Sequence, residues 1–210
     1  MAFAVKKTIN ASEQEREDVR QKREEWRELQ ASGNLPISNV VFLDESSVKT
    51  GMTRLYGRSR GGRRCHYFAQ KGSWKTLTMV SSIRLSGETE CVVYDDPMDG
   101  EMFRAYLIQV LIPTLRTGDI LVMDNLSAHK SHLPLNVLSE KGISVLFLPP
   151  YSPDLNPIEK MWSKVKQLLR GVGAKTKEAL LSAIQKAFEA VTSRDAKAWI
   201  KSCGYAQSQA

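Results

Sequence analysis

The pattern of apolar and polar positions separates a polar first part of the chain from a core that alternates between strands and helices. Two continuous apolar runs end in acidic residues, "NVVFLDE" at 39–45 and "GDILVMDN" at 118–125. A third run, "ISVLFLPP", occupies 143–150. Short continuous apolar runs are typical of strands that are buried on both faces of a sheet. The three runs therefore predict central strands.

The periodicity of the remaining core predicts further strands and several helices. Two strands joined by a turn at Ser86 and Gly87 are predicted for 75–87 and 89–96. Apolar positions at helical spacing, or helix start signals, predict helices at 99–115, near 131–141, from Asn156 onwards, and within 176–191 and 193–205. This order predicts an α/β fold, with a mixed central sheet and helices packed on both faces.

Residues 12–31 have a helical but very polar pattern. Val19, Trp26 and Leu29 form only a thin apolar stripe, and acidic and basic residues alternate on the other faces. A helix of this kind buries little surface, so we expect a connector or docking arm. Because "SGNLPIS" then breaks the helix, we predict a polar connector helix over 1–35 and one α/β domain over 36–210.

Composition excludes several classes of protein. The 210 residues are 42% hydrophobic and 25% charged, which is ordinary for a globular domain. No apolar run approaches the roughly 18 residues that a membrane span requires, and the first residues lack a signal-peptide pattern. The three cysteines are far apart, which favours reduced thiols over disulfides or a zinc site. We therefore expect a cytoplasmic protein.

The charge balance indicates a polyanionic partner such as nucleic acid. Thirty Lys and Arg residues against 23 Asp and Glu residues give a net charge of +7. Five arginines lie within the glycine-rich stretch "RLYGRSRGGRR", together with Tyr56: Arg54, Arg58, Arg60, Arg63 and Arg64. Such a loop either follows DNA phosphates or is simply a solvated basic loop, and the sequence leaves both interpretations open.

Three acidic residues lie where elements end or begin. Asp44 and Asp124 each follow a buried strand, and Glu159 lies in the first turn of the helix that begins at Asn156. The carboxyl ends of parallel strands are where ligand sites gather. Three carboxylates without paired histidines or cysteines suit Mg²⁺ or Mn²⁺. A site of this kind holds two ions roughly 3.5–4 Å apart. The structural alternatives are turn residues for the aspartates and, for Glu159, a capping box in which Asn156 is the N-cap of the helix.

Three segments resemble a known family: "VVFLDE", "ILVMDNLSAHKS" and "LPPYSPDLNPIEKMWSKVK". They are similar to the catalytic core of bacterial insertion-sequence transposases related to the mariner group. This group belongs to the superfamily of DDE transposases and retroviral integrases, which has a ribonuclease-H-like fold. The resemblance covers 39–205 and implies that Asp44, Asp124 and Glu159 are the catalytic, metal-binding triad. The 34 residues between Asp124 and Glu159 match the spacing of the group.

The resemblance also implies a reaction. Such enzymes use Mg²⁺, with Mn²⁺ as a substitute, to hydrolyse DNA at transposon ends. They then transfer the freed strand into target DNA, usually at a TA dinucleotide. We expect two ions, shared by Asp44 and Asp124 and completed by Glu159. The alternative functions are a nuclease of the same fold without strand transfer, and a catalytically silent DNA-binding or assembly domain derived from a transposase.

Residues near the triad are further candidates. Glu45 and Asn125 each follow a triad acid and either support it or are ordinary exposed polar residues. His129 either approaches the metals and a phosphate or is an ordinary loop histidine. Lys160 and Lys164 share a helix face that either lies along the DNA backbone or is simply exposed.

The resemblance also implies partners. Members of the group usually carry an N-terminal helix-turn-helix region that recognises the inverted repeats at transposon ends. Only a polar helix precedes the core here, so we expect end recognition to be supplied by a separate or missing region. We also expect a homodimer in the DNA complex and association with the bacterial nucleoid.

Overall fold

The computed structural model describes residues 12–57, 59–66, 74–125 and 133–205. Within these ranges the strands are β1 Val40–Lys49, β2 Thr76–Arg84, β3 Cys91–Tyr94, β4 Ile120–Met123 and β5 Ser144–Phe147. The helices are α1 Glu17–Ala31, α2 Gly100–Tyr106, α3 Leu135–Glu140, α4 Pro157–Val172, α5 Lys177–Glu189 and α6 Ser193–Ser202. Helix α2 continues as a π-helical turn, Leu107–Leu111, and an α-helical turn, Ile112–Thr114.

The strands form one mixed sheet in the order β3-β2-β1-β4-β5. Strands β1, β4 and β5 are parallel, whereas β2 pairs antiparallel with both β1 and β3. The three strands predicted from continuous apolar runs are thus the parallel ones. In the register of β1 and β4, Phe42 is opposite Val122. Two residues further on, the same register brings Asp44 level with Asp124.

Helices cover both faces of this sheet, as predicted. Phe42 and Val122 pack on one face in the same core cluster as Trp162 of α4. Leu43 packs on the other face with Leu107, which follows α2. Successive side chains of a strand point to opposite faces, so a continuous apolar strand supplies both cores.

Strand β1 is longer than its apolar run. We predicted its end at residue 45, but it continues to Lys49 because β2 pairs with it as far as Lys49 and Thr76. On the other side, β4 ends at Met123. Asp44 therefore lies inside a strand, at the point where the neighbouring parallel strand stops and the sheet opens.

Helix α1 packs against the domain instead of extending from it. Val19 is 1% exposed and Trp26 is 7% exposed, and Trp26 belongs to the core cluster of the α4 face. The indole nitrogen of Trp26 donates a hydrogen bond to the hydroxyl of Tyr205, at 3.2 Å. The expectation that this helix contributes little to the core is therefore wrong, while the domain boundary at residue 35 stays a prediction.

Among the described residues, no helix is both long enough and apolar enough to cross a membrane.

Candidate active site

Asp44 is held in place by two hydrogen bonds at the opening of the sheet. Its side chain is on the same face as Phe42 and so points towards α4. The main-chain N–H of Glu45 donates to Oδ1 at 2.8 Å, and the indole N–H of Trp162 donates to Oδ2 at 3.3 Å. A residue of α4 and a residue of β1 thus fix the orientation of this carboxylate.

Glu159 reaches the same region from the first turn of α4. The chain leaves β5, passes through a 3₁₀ turn at Pro153–Leu155 and enters the helix at Pro157, whose fixed φ angle suits the first helical position. Asp44, Asp124 and Glu159 line one cleft of about 390 Å³, which we call the acidic cleft. Its other lining residues are Asn125, Leu148, Pro149, Pro150, Tyr151, Ser152, Pro153 and Asn156.

Burial and neighbouring carboxylates raise the pKa values of two acids of the acidic cleft, Asp44 and Glu159. Burial raises the pKa of Asp44 to about 7, assisted by the charges of Glu159 and Asp124 and opposed by the two hydrogen bonds that Asp44 accepts. Glu159 is exposed at the cleft, but the surrounding protein reduces the hydration of its charge. This desolvation raises its pKa; Lys166 opposes the change, and Asp124 adds to it. Carboxylates that lie this near to one another are stabilised by a cation or a proton between them.

The donor atoms of the acidic cleft fit a hard divalent cation. They are all oxygens: three carboxylates, and the side-chain amides of Asn125 and Asn156, whose buried Oδ1 atoms have no hydrogen-bond partner among the described residues. Oxygen ligands of this kind suit Mg²⁺ and Mn²⁺. In this conformation no three His, Cys, Asp or Glu residues of the described ranges are grouped closely enough to hold a metal ion.

The capping-box alternative for Glu159 is wrong. Asn156 is the N-cap of α4, but its side chain makes no capping hydrogen bond. A capping box occurs instead at the start of α6, between Thr192 and Asp195. The carboxylate of Glu159 is therefore not used to close the helix end. Sequence reasoning identified Asn156 as a helix cap and missed its position in the acidic cleft.

Glu45 and Asn125, the residues that follow two of the acids, take different positions. Glu45 donates its main-chain N–H to Asp44, and by the alternation of the strand its side chain points away from the α4 face. Asn125 lines the acidic cleft beside Asp124. Their supporting roles stay predictions. His129 and Arg58 lie outside the described residues.

The lysines of α4 do not form a free face. The ammonium group of Lys164 donates to the carbonyl oxygen of Ala190 at 2.7 Å and to Asp195 at 2.6 Å. These bonds join α4 to the start of α6 and, with Thr192, lower the pKa of Asp195 to about 2. The charge of Lys164 is thus engaged within the fold, and its predicted contact with DNA stays a prediction. Lys160 is half-buried on the same side, where its charge acts on the thiol of Cys203.

The predicted basic loop is exposed as far as the structure describes it. The exposed arginines are Arg54, Arg60, Arg63 and Arg64. Arg54 and Tyr56 line a groove of about 560 Å³ together with Gln167 and Arg170 of α4. The Tyr56 side chain is 89% exposed. Arg170 was missed by sequence reasoning, because nothing local connects it with a loop more than a hundred residues earlier.

Comparison with known families places the three acids within a recognised domain. The family described as DDE superfamily endonuclease matches residues 39–181, a range that includes Asp44, Asp124 and Glu159. The chain belongs to the DDE superfamily of endonucleases. The match covers more than half of the chain, from the first central strand into helix α5.

Two curated transposases are similar in sequence to this DDE endonuclease. The Tcb1 transposase of Caenorhabditis briggsae is 27% identical over 120 residues, which are 57% of this chain and 42% of that protein. The Tc1 transposase of Caenorhabditis elegans is 30% identical over 74 residues, which are 35% of this chain and 27% of that protein. The aligned regions thus span less than half the length of these curated relatives.

Solved structures of Mos1 transposase share the fold. The Mos1 paired-end complex with the left transposon end superimposes with a TM-score of 0.73 at 18% identity, over 96% of this chain and 63% of that one. The isolated catalytic domain of Mos1 mariner transposase superimposes with a TM-score of 0.65 at 14% identity, over 94% of this chain and 93% of that one. The predicted ribonuclease-H-like fold of this DDE endonuclease is therefore confirmed.

Proposed function

We propose that this DDE endonuclease is a transposase catalytic domain, which hydrolyses DNA at transposon ends and transfers the freed strand into target DNA. The proposal rests on one observation. Asp44, Asp124 and Glu159 are far apart in sequence but line one cleft, and all three fall within the matched endonuclease region. The similarity to the Tc1 and Tcb1 transposases supports transposition as the biological setting.

The acidic cleft is proposed to bind two Mg²⁺ ions, with Mn²⁺ as a substitute. Mos1 paired-end complexes solved with Mg and with Mn support this choice of metals. Divalent ions in such sites polarise the phosphodiester and lower the pKa of the attacking water. Asp44, Asp124 and, from α4, Glu159 would hold these ions. Trp162 and the main-chain N–H of Glu45 keep Asp44 oriented towards the cleft.

DNA is proposed to contact the exposed arginines of the basic loop and the groove beside it. Arg54 and Arg170 bring positive charge to two sides of this groove, and the exposed ring of Tyr56 is available to stack on a base. Arg60, Arg63 and Arg64 extend the positive surface. Replacing these three arginines by alanine is expected to reduce DNA affinity and to make it less sensitive to salt, because fewer counterions are released on binding.

Two copies of the chain are proposed to act together on paired DNA ends. Similarity to a Mos1 paired-end complex supports this arrangement. Light scattering on the protein bound to paired-end DNA tests it, since one copy per complex would exclude the dimer.

The first test of the proposed function is Mn²⁺-dependent nicking of supercoiled plasmid. The wild type is expected to nick, and Asp124→Asn and Glu159→Gln are each expected to lose at least about 100-fold in rate, because each removes a ligand charge. Equal nicking by all three proteins would assign the activity to a contaminant, and it would then give no support to the triad.

Strand transfer needs a separate test, because nicking alone is also the activity of a simple nuclease. Pre-cut ends with a free 3′ hydroxyl are incubated with target plasmid and Mn²⁺. Joined product indicates a transposase, whereas cleavage without joining indicates a nuclease of the same fold. Metal binding without either activity would favour a silent DNA-binding domain.

A further inference from the structure

Asn156 is a helix N-cap residue whose side chain does not cap. Its side chain accepts no hydrogen bond from the first turn of α4, although asparagine is among the best N-cap residues. The residue is 4% exposed, and its Oδ1 atom has no hydrogen-bond partner among the described residues. The N–H of Glu159 donates to the main-chain oxygen of Asn156 instead, at 3.3 Å.

Helices α5 and α6 begin with ordinary caps, whereas α1 and α3 have no side-chain cap. Thr176 accepts a hydrogen bond from the N–H of Ala179, and Thr192 accepts one from the N–H of Asp195. A buried carbonyl oxygen without a hydrogen-bond partner destabilises the fold, whereas a working N-cap stabilises it. The uncapped conformation of Asn156 is therefore less stable than a conformation in which its side chain caps α4. This indicates that the side chain has a function other than capping.

The position of Asn156 suggests what that function is. It lines the acidic cleft together with the three carboxylates, three residues before Glu159. The three carboxylates already repel one another, so a fourth would add to the repulsion. A neutral amide oxygen supplies a further ligand for a hard cation without adding negative charge.

We propose that the side-chain oxygen of Asn156 is a further cation-binding group of the acidic cleft. It binds the divalent ion, or a water on that ion, and so gains the partner that it lacks among the described residues. The inference rests on the proposed function, because it requires the cleft to bind a divalent cation. It assigns Asn156 to the site itself, in addition to the three acids.

Calorimetric titration of the whole chain with Mn²⁺, in the absence of DNA, tests this role. Asn156→Ala and Asn156→Ser are expected to weaken Mn²⁺ binding by about 10-fold or more, in the range seen when a group that supports a metal site is removed. The serine variant keeps a capping hydroxyl but lacks the longer amide. Asn156→Asp, which keeps an oxygen at the same place, is expected to retain binding within a few-fold of the wild type.

Thermal unfolding without metal separates this role from capping. Asn156→Ala is expected to be as stable as the wild type or more stable, whereas Thr176→Ala, which removes a working cap away from the cleft, is expected to unfold at a lower temperature and to bind Mn²⁺ normally. Unchanged Mn²⁺ affinity in the alanine and serine variants would overturn the proposal. If Asn156→Ala does not fold, the serine variant decides.

A fifth variant distinguishes failure of this inference from failure of the proposed function. Asp124→Asn removes a proposed metal ligand and is expected to abolish tight Mn²⁺ binding. Equal binding by Asp124→Asn and the wild type would remove the cation site altogether. Weakened binding by Asp124→Asn, with normal binding by Asn156→Ala and Asn156→Ser, would reject only the role of Asn156.

Discussion

Arg23 and Asp154 form a two-pronged ion pair that joins helix α1 to the wall of the acidic cleft. The two guanidinium nitrogens donate to the two carboxylate oxygens at 2.9 and 2.7 Å, and one of them also donates to the hydroxyl of Ser152 at 2.6 Å. Nearby, Gln14 donates to the main-chain oxygen of Tyr151, a residue with a positive φ of 55°. The N-terminal helix thus supports the segment that leads to Glu159.

The first prediction concerns this ion pair. Arg23→Ala is expected to lower the free energy of unfolding by about 2 kcal/mol, because Arg23 is 7% exposed and its hydrogen bonds are charge-assisted. Since the cleft wall loses its support, Mn²⁺ affinity is expected to fall as well. Urea unfolding and calorimetric titration measure the two effects.

Arg16→Ala is the matched control for Arg23→Ala. Arg16 also makes two hydrogen bonds to one carboxylate, that of Asp18, but both side chains are more than half exposed. Exposed pairs contribute about 0–1 kcal/mol, so this variant is expected to be nearly neutral and to bind Mn²⁺ normally. Equal losses in the two variants, or normal Mn²⁺ affinity in Arg23→Ala, would contradict a supporting role for α1.

The second prediction concerns the pH dependence of stability at Asp44. The folded protein raises the pKa of this carboxyl from 3.8 to about 7, so between about pH 4 and 7 the folded state binds more protons than the unfolded state. Stability from this group is therefore present at low pH and is lost as the pH rises to about 7. In metal-free protein, Asp44→Asn is expected to be more stable than the wild type at pH 8, with a smaller difference at pH 5.

Thermal unfolding in the presence of a chelator measures this difference. Replacing the chelator with Mn²⁺ is expected to stabilise the wild type alone, because the variant has lost a ligand charge. A difference between the proteins that stays constant from pH 5 to 8 would show that Asp44 titrates in the folded state as it does in the unfolded chain.

The third prediction compares the aspartates at the two ends of β4. Asp119, just before the strand, accepts hydrogen bonds at 2.6 Å from the guanidinium of Arg84 and from the N–H of Arg116. Asp119 and Arg84 are both buried, so Asp119→Asn leaves Arg84 with only the longer, exposed pair to Glu88 at 3.9 Å and is expected to cost about 3 kcal/mol. Asp124→Asn instead relieves repulsion in the acidic cleft and is expected to leave stability unchanged or raise it.

For Mn²⁺ binding, the variant at Asp124 is expected to have the larger effect of the two. Asp119→Asn, at the opposite end of the strand from the acidic cleft, is expected to bind Mn²⁺ like the wild type, and Asp124→Asn is not. Chemical unfolding and Mn²⁺ titration of both variants test this separation. Stability losses of similar size in the two proteins would mean that Asp124 is a structural residue.

The fourth prediction concerns Lys164. Because its ammonium group is bound to Ala190 and Asp195, Lys164→Ala is expected to cost about 1–2 kcal/mol and to leave the salt dependence of DNA binding unchanged. Lys177→Ala is a control, since Lys177 pairs with Asp95, whose side chain is 59% exposed, and is expected to have little effect on stability. A shallower salt dependence for Lys164→Ala would instead support a contact between Lys164 and DNA.

The sequence by itself determined the main elements and the three acids. Continuous apolar runs identified the parallel strands, because strands covered on both faces need apolar residues at successive positions. The same runs led to Asp44 and Asp124, and the helix start at Asn156 and Pro157 led to Glu159. Apolar runs and helix starts are local features of the sequence, so they can be identified without any knowledge of the fold.

Only the tertiary structure decided which partners these residues have. Helix α1 has a thin apolar stripe by sequence, yet it is anchored through Arg23 and Trp26 to residues more than a hundred positions away. The sequence suggested an exposed ammonium group for Lys164, but the structure pairs this group with Asp195. The sequence also suggested a helix cap at Asn156, but the side chain lies in the acidic cleft and makes no capping hydrogen bond. Local periodicity tells which face of an element is buried, whereas the groups that meet there depend on how distant elements pack.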